Sequence, residues 1–217
     1  MLSRLTQLFQ NPLQLLYTLP GILIGLTVHE WAHAYAAYRL GDPTARNLGR
    51  MTLNPLAHID PFGFLCLLLV GFGWAKPVPV NSRNFQNYKR DDIIVSLAGI
   101  AMNLVTAFLF TFVLYGGMKL GLSGNAAFVT IFYGIVYINL SLMLFNLIPI
   151  YPLDGSHVLE SLLARKAPKV FLFLRQYGQY ILILLLLTGA ISGVLGTVAG
   201  WIFSLFSNAA IAVLSLF

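Results

Sequence analysis

Two histidines and a glutamate interrupt a long apolar segment near the start of the chain. The segment from Leu13 to Leu40 contains His-Glu-Trp-Ala-His at residues 29–33. Because His29 and His33 are four residues apart, a helix places both imidazoles on one face. An ionised side chain at the centre of a bilayer costs about 2.5–3.5 kcal/mol. A chain that buries such groups needs a bond that compensates for them, and this requirement constrains the fold more than any other feature.

Metal binding supplies such a bond. Two neutral imidazoles at this spacing bind Zn²⁺, and an adjacent carboxylate, here Glu30, acts on the attacking water. In a soluble helix the same side chains would simply face solvent. Inside an apolar span solvent cannot explain them. The motif therefore predicts a zinc site built on His29 and His33.

The composition predicts an integral membrane protein in contact with the lipid bilayer. Of the 217 residues, 58% are hydrophobic and 9% are charged, whereas soluble domains carry about 25% charged residues. The net charge of +6 does not indicate nucleic-acid binding, because no basic run has interleaved aromatics. Cys66 is the only cysteine, which excludes a disulfide framework. We expect one membrane-embedded domain over residues 1–217.

The apolar segments predict an all-α polytopic membrane protein with about five to six transmembrane segments. An interfacial helix is expected over residues 1–12 and a short polar helix over residues 155–166. Full spans are expected over residues 14–40, 93–118, 128–150, 171–188 and 191–217.

The region between the first two full spans predicts a re-entrant segment followed by a β-ribbon. Residues 64–74 are apolar but too few to cross a bilayer of about 30 Å as a helix. Residues 76–80 are expected to be an extended ribbon with an edge-like character, because Pro77 and Pro79 have no N–H to donate. This ribbon either pairs with an unwound substrate strand or simply covers the loop.

The distribution of lysine and arginine predicts the orientation. These residues concentrate in regions 41–92 and 151–170, whereas the N-terminus and the 119–127 loop hold only Arg4 and Lys119. If residues 64–74 do not cross, both basic regions lie on the cytoplasmic side, as the positive-inside rule requires. The N-terminus is then outside, and the active site faces the cytoplasm.

A catalytic zinc needs a third protein ligand. Asp154 is the favoured candidate, because Pro149 and Pro152 break the helix before it and Gly155 permits a turn after it. Irregular backbone at membrane depth lines a cavity or is buried in protein. Taken alone, Asp154 also fits an N-cap of the following helix. The other candidates for the third ligand are His58, Asp60 and His157. His58 is expected instead to cap the polar loop or line the water path, and His157 to support the site or face solvent.

Three motifs occur in order along the chain. They are His-Glu-Trp-Ala-His at residues 29–33, Gly99-Ile-Ala-Met-Asn103, and Asn146-Leu-Ile-Pro-Ile-Tyr-Pro-Leu-Asp154-Gly155. With residues 41–44, 54–61 and 74–81, they resemble the site-2 protease family of intramembrane zinc metalloproteases, in its compact single-domain prokaryotic branch. The resemblance covers roughly residues 20–160, and the pairing of the first and last motifs is what makes it specific.

This resemblance implies a zinc metalloendopeptidase that hydrolyses peptide bonds within or near transmembrane segments of membrane proteins. It implies that His29, His33 and Asp154 hold one Zn²⁺ per chain, that Glu30 is the general base and acid, and that Asn146 holds the substrate or its oxyanion. It also implies a prokaryotic inner membrane and a catalytic core over about residues 14–166. The C-terminal spans, at about residues 171–217, carry no family motif.

Two other functions fit the same cluster of His, Glu and Asp. One is a metal-ion transporter, although transport sites usually draw charges from several spans and show repeated halves. The other is a catalytically silent scaffold. Asn146 also suits an interhelical hydrogen bond, and Gly99 and Asn103 suit helix packing as well as substrate contact.

Overall fold

The computed structural model describes residues 12–70, 73–163 and 167–216, and these residues are almost entirely helical. The interfacial helix expected over residues 1–12 lies outside the described residues, apart from Pro12. In chain order the helices are α1 (Pro12–Arg39), α2 (Thr44–Asn47), α3 (Pro61–Val70), α4 (Tyr88–Lys119), α5 (Ala126–Asn146), α6 (Gly155–Leu163), α7 (Pro168–Leu187) and α8 (Ala190–Leu214).

Four of the described helices, α4, α5, α7 and α8, are long and apolar enough to cross a membrane. They correspond to the four later spans expected from the sequence. Helix α1 has 28 residues and is not among the four; its second half carries His29, Glu30 and His33. The protein is an all-α integral membrane protein.

Helices α1, α4 and α5 contact one another and form the centre of the structure, and α8 packs against α4 and α5. Small residues let α1 approach α5 closely. A Cβ atom on Gly21 would lie 2.7 Å from the Ile138 side chain and 3.0 Å from the Gly134 carbonyl oxygen. This close packing fixes the face of α1 that carries both histidines.

Asparagine caps set where the two central spans begin. The Asn87 side chain accepts a hydrogen bond from the Arg90 N–H, and the Asn125 side chain accepts one from the Phe128 N–H. Capping places the starts of α4 and α5 before the apolar residues that mark them in the sequence. Helix α5 ends at Asn146, three residues before Pro149, because proline disfavours helical backbone in the residue before it.

The chain enters and leaves the region of α3 at neighbouring positions. Helix α3 has 10 residues, which corresponds to a length of about 15 Å. Ile59 and Ala75 form an isolated antiparallel bridge, and the Lys76 N–H donates to the His58 carbonyl oxygen over 2.8 Å. The described residues contain no β-strand beyond this bridge, so the β-ribbon expected over residues 76–80 is not confirmed.

Asp42 holds this region to the end of α1. Its Oδ2 atom accepts a hydrogen bond of 2.7 Å from the Asn81 N–H, and Oδ1 accepts bonds from Asn84 Nδ2 and from the Thr44 N–H and hydroxyl. Burial raises the pKa of Asp42, but these hydrogen bonds outweigh it, and the pKa is lowered overall. The carboxylate is therefore ionised and joins the end of α1 to residues 39 and 42 positions further along the chain.

We predict that Asp42→Asn detaches residues 81–84 from α1. The amide nitrogen cannot accept a hydrogen bond, and a buried donor left unpaired costs about 1–3 kcal/mol. Hydrogen exchange at the amides of Asn81 and Asn84 should accelerate. In the wild type this contribution exists above about pH 4 and is lost as the pH falls through the lowered pKa.

Asp60→Asn is the matched control, since among the described residues the Asp60 carboxylate accepts a main-chain bond from Gly63 alone. It should leave exchange at Asn81 unchanged. Equal exchange in wild type and Asp42→Asn would contradict the anchoring role.

Candidate metal centre

Three side chains of types that bind metal ions converge at the C-terminal half of α1. His29 and His33 lie on one face of the helix, with their Nε2 atoms 3.0 Å apart. Asp154, in the turn between α5 and α6, places Oδ2 3.2 Å from His29 Nε2 and 3.3 Å from His33 Nε2. Both imidazoles are almost fully buried.

The hydrogen bonds behind the imidazoles place a proton on each Nδ1 atom, so in the neutral rings these three atoms are all electron-pair donors. His33 Nδ1 lies 2.8 Å from the Val95 carbonyl oxygen, which can only accept, so Nδ1 carries the proton and Nε2 carries a lone pair. His29 Nδ1 lies 2.7 Å from Asn103 Oδ1 and has the same form. Asp154 Oδ2 has no hydrogen-bond partner.

Such an arrangement fits a zinc ion. With both imidazoles neutral, three lone-pair atoms within 3.3 Å of one another repel unless a cation lies among them. Two imidazole nitrogens and a carboxylate oxygen are among the ligands that Zn²⁺ takes, and all three ligand atoms lie within 4.8 Å. The chemistry of the donor set therefore matches the metal that the sequence predicts.

The turn before α6 delivers Asp154 to the histidines. The Leu153 N–H donates to the Ile150 carbonyl oxygen, which closes the turn. A Cβ atom on Gly155 would lie 2.4 Å from the Leu147 carbonyl oxygen, so only glycine fits there. Asp154 directly precedes α6, where an N-cap would stand, but its carboxylate faces His29 and His33.

A second His–Asp pair ties the beginning of α6 to α4. His157 Nδ1 lies 2.9 Å from the Asp92 carboxylate, and this hydrogen bond raises the pKa of His157. Because His157 is three residues after Asp154, the pair holds the turn in place. In this structure His157 supports the ligand turn and is not in the cluster.

Glu30 is buried beside the histidines and accepts a hydrogen bond of 2.8 Å from the Val78 N–H. Residues 76–80 therefore lie across this part of α1. Arg50 Nη2 holds the same segment by donating to the Lys76 carbonyl oxygen over 2.7 Å. The N–H groups of Lys76 and Val78 are both engaged within the protein, which conflicts with a free edge for a substrate strand and favours the covering role.

Two other residues singled out in the sequence stay apart from the cluster in the described contacts. Asn146 Nδ2 donates to the Leu142 carbonyl oxygen of its own helix over 3.0 Å. His58 is fully buried and its Nε2 atom bonds the Thr52 carbonyl oxygen over 2.8 Å, so it stabilises the loop.

Comparison with known proteins agrees with this geometry. The profile described as Peptidase family M50 matches residues 17–189. "Putative zinc metalloprotease YwhC" of Bacillus subtilis is 41% identical over 182 residues, which are 82% of this chain and 83% of that protein. "Putative zinc metalloprotease Rip2" of Mycolicibacterium smegmatis is 31% identical over 194 residues, or 84% of this chain and 71% of that protein. No solved structure matches the chain.

The chain belongs to peptidase family M50. This is the site-2 protease family, so the resemblance found in the sequence is confirmed. Membership makes the protein an intramembrane zinc metalloprotease and does not favour a transporter or a silent scaffold.

Sequence reasoning missed several residues that support the candidate metal centre. Val95 and Val78 act through main-chain atoms, which no side-chain motif reveals. Asn139, which bonds Asn103 from α5, had a detectable signal, because an amide in the middle of an apolar span is rare and usually has a partner. Asp92 had no detectable signal in the sequence beyond its charge at the start of a span.

Gly99 gives the histidines their room. A Cβ atom there would lie 2.5 Å from His33 Nε2 and 2.7 Å from the His29 ring. We predict that Gly99→Ala displaces the imidazoles at a cost of about 1–3 kcal/mol, so zinc affinity should fall about tenfold or more. Chelator competition on the purified protein measures this zinc affinity.

Gly116→Ala on the same helix is the control, because nothing lies within 4 Å of a Cβ atom there. It should bind zinc as the wild type does. If Gly99→Ala and Gly116→Ala bind zinc equally well, the contact between α4 and the histidines does not determine metal binding.

Proposed function

We propose that the protein is an HExxH-type zinc metalloendopeptidase that cleaves peptide bonds within or near transmembrane segments of membrane proteins. In this proposal His29, His33 and Asp154 hold one zinc ion per chain, and Glu30 moves the proton. The observation that carries the proposal is the convergence of three lone-pair atoms directly beside a buried carboxylate.

The chemistry divides between the metal and the side chains. Zinc bound here supplies Lewis acidity, which activates water and polarises the scissile carbonyl. Glu30 takes the proton from the attacking water and gives it to the leaving amine. The Val78 N–H fixes one Glu30 oxygen and leaves the other oxygen for the water.

Asn146 is proposed to stabilise the oxyanion. One hydrogen of its Nδ2 atom is used by the Leu142 carbonyl oxygen, and the second remains to donate to developing negative charge. The position of Asn146 at the last turn of α5, in the segment that leads to Asp154, supports this role.

The proposed substrates are transmembrane helices with weak points near the cut. A scissile amide in a lipid-embedded helix is held by backbone bonds that water cannot replace. Glycine, proline or asparagine lowers the cost of opening these bonds. Because Lys76 and Val78 donate within the protein, a substrate strand that pairs with residues 76–80 must first displace the Val78 bond to Glu30.

The proposed placement is a prokaryotic inner membrane with the site toward the cytoplasm. Residues 14–166 form the catalytic core and residues 171–217 the C-terminal spans of one domain. Helix α1 serves as a fifth span, with the N-terminus outside. The meeting of residues 59 and 75 supports a re-entrant α3, which keeps the basic residues of region 41–92 on the cytoplasmic side.

Two variants separate metal binding from proton transfer. Glu30→Gln should keep zinc and lose cleavage of a single-span reporter by about 10²- to 10⁴-fold, since it removes only the acid–base group. Asp154→Ala should lose both zinc and cleavage. Metal analysis and reporter cleavage are measured on the same purified samples.

The reporter carries a central Asn-Gly pair, and a poly-Leu helix of equal length is its control. Continued cleavage by Glu30→Gln would contradict the assigned mechanism. Unchanged zinc content in Asp154→Ala would remove Asp154 from the ligand set, and equal cleavage of both helices would contradict substrate unwinding at weak points.

Cysteine labelling tests the orientation. In a Cys66→Ala background, Gln86→Cys should label from the cytoplasmic side and Ser123→Cys from the outside, since both positions are exposed. The opposite pattern means that the topology is inverted. Labelling of both positions from one side means that α4 does not cross the membrane.

A further inference from the structure

Two fully buried asparagines connect the metal centre to the middle of the helix bundle. Asn103 lies on α4 and Asn139 on α5, and neither is accessible to solvent. A buried amide without partners costs roughly 2–7 kcal/mol. Both amides are hydrogen-bonded within the bundle.

Main-chain carbonyls fix the direction of every bond in this pair. Asn139 Nδ2 lies 2.8 Å from the Ile135 carbonyl oxygen. A carbonyl only accepts, so Nδ2 must face it, and Oδ1 must face Asn103. Asn103 Nδ2 donates to Asn139 Oδ1 over 2.9 Å and to the Gly25 carbonyl oxygen over 3.0 Å. Both amides are therefore locked in one orientation.

The remaining Asn103 atom acts on a metal ligand. With Nδ2 committed, Oδ1 is the atom that faces His29, 2.7 Å from Nδ1. His29 Nδ1 must then carry the proton, and the Nε2 lone pair points toward Asp154 Oδ2, 3.2 Å away. We propose that Asn103, oriented by Asn139, is a positioning residue that fixes the tautomer and ring orientation of His29 for metal binding.

This inference rests on the proposed role of His29 as a zinc ligand and adds an asymmetry to it. His33 receives the same support from the Val95 main-chain carbonyl, which side-chain substitution does not remove. Only His29 depends on a side chain. Loss of Asn103 therefore weakens one of the three ligands and leaves the other two in place.

The test compares zinc affinity in Asn103→Leu, Asn103→Asp and the control Thr111→Val. Thr111 is equally buried on α4 but bonds only the Ala107 carbonyl oxygen of its own helix. Loss of a hydrogen-bond partner of a ligating histidine costs about 10- to 100-fold in metal affinity. We expect that loss in Asn103→Leu, and wild-type affinity in Thr111→Val.

Asn103→Asp distinguishes positioning from packing. A carboxylate still accepts from His29 Nδ1 but loses the two donations that orient Asn103, so zinc affinity should lie between the values for Asn103→Leu and the wild type. A packing role reverses the order, because leucine is tolerated in an apolar bundle and a buried charge is not. Absorption bands of the Co²⁺-substituted protein should change in Asn103→Leu, which reports the ligand geometry independently of proteolysis.

The Asn139→Leu variant tests the role of Asn139, which contacts His29 only through Asn103. Asn103 then keeps only the Gly25 carbonyl to orient its amide, so zinc affinity should fall between the values for Thr111→Val and Asn103→Leu. Thermal unfolding of each zinc-free protein controls for misfolding.

Equal zinc affinity in Asn103→Leu and Thr111→Val overturns the inference, and wild-type affinity in Asn139→Leu overturns the part assigned to Asn139. A wild-type protein that binds no zinc contradicts the proposed function itself, which is a separate result.

Discussion

Three electron-pair donors converge in the interior of this protein, and their mutual repulsion is the constraint on which the rest of the structure depends. His29, His33 and Asp154 come within 3.3 Å of one another, in surroundings where charge is poorly screened. With neutral imidazoles and no cation this geometry is unfavourable, so packing must hold the three side chains in place. Helix α4 provides that support through Gly99, which gives the rings space, and through groups that bind each Nδ1 atom.

Irregular backbone near the membrane is possible here because its polar groups find partners within the protein. The segment between α1 and α4 shows this most clearly. Asp42 binds the Asn81 N–H, Arg50 binds the Lys76 carbonyl oxygen, and Glu30 binds the Val78 N–H. One of these bonds ends on the proposed acid–base group, so loop stability and the state of the active site are physically linked.

The C-terminal helices have a different relation to the site. The apolar windows of α7 and α8 bury much less of their surface than those of α4 and α5, which suits helices that face lipid over most of their circumference. Helix α7 nonetheless reaches the turn that carries Asp154, where a Cβ atom on Gly178 would lie 2.9 Å from the Tyr151 carbonyl oxygen. This contact places a helix without a family motif against the ligand turn.

The sequence by itself determined the all-α membrane class, the shared face of His29 and His33, and the helix break before Asp154, because these follow from apolar length, the helical period and proline chemistry. Only the tertiary structure decided which groups support them. The bond from Val78 to Glu30 and the path from Asn139 through Asn103 to His29 join residues 36 to 74 positions apart. Such pairings depend on how helices rotate against one another and on main-chain atoms, which leave no periodic pattern in the sequence.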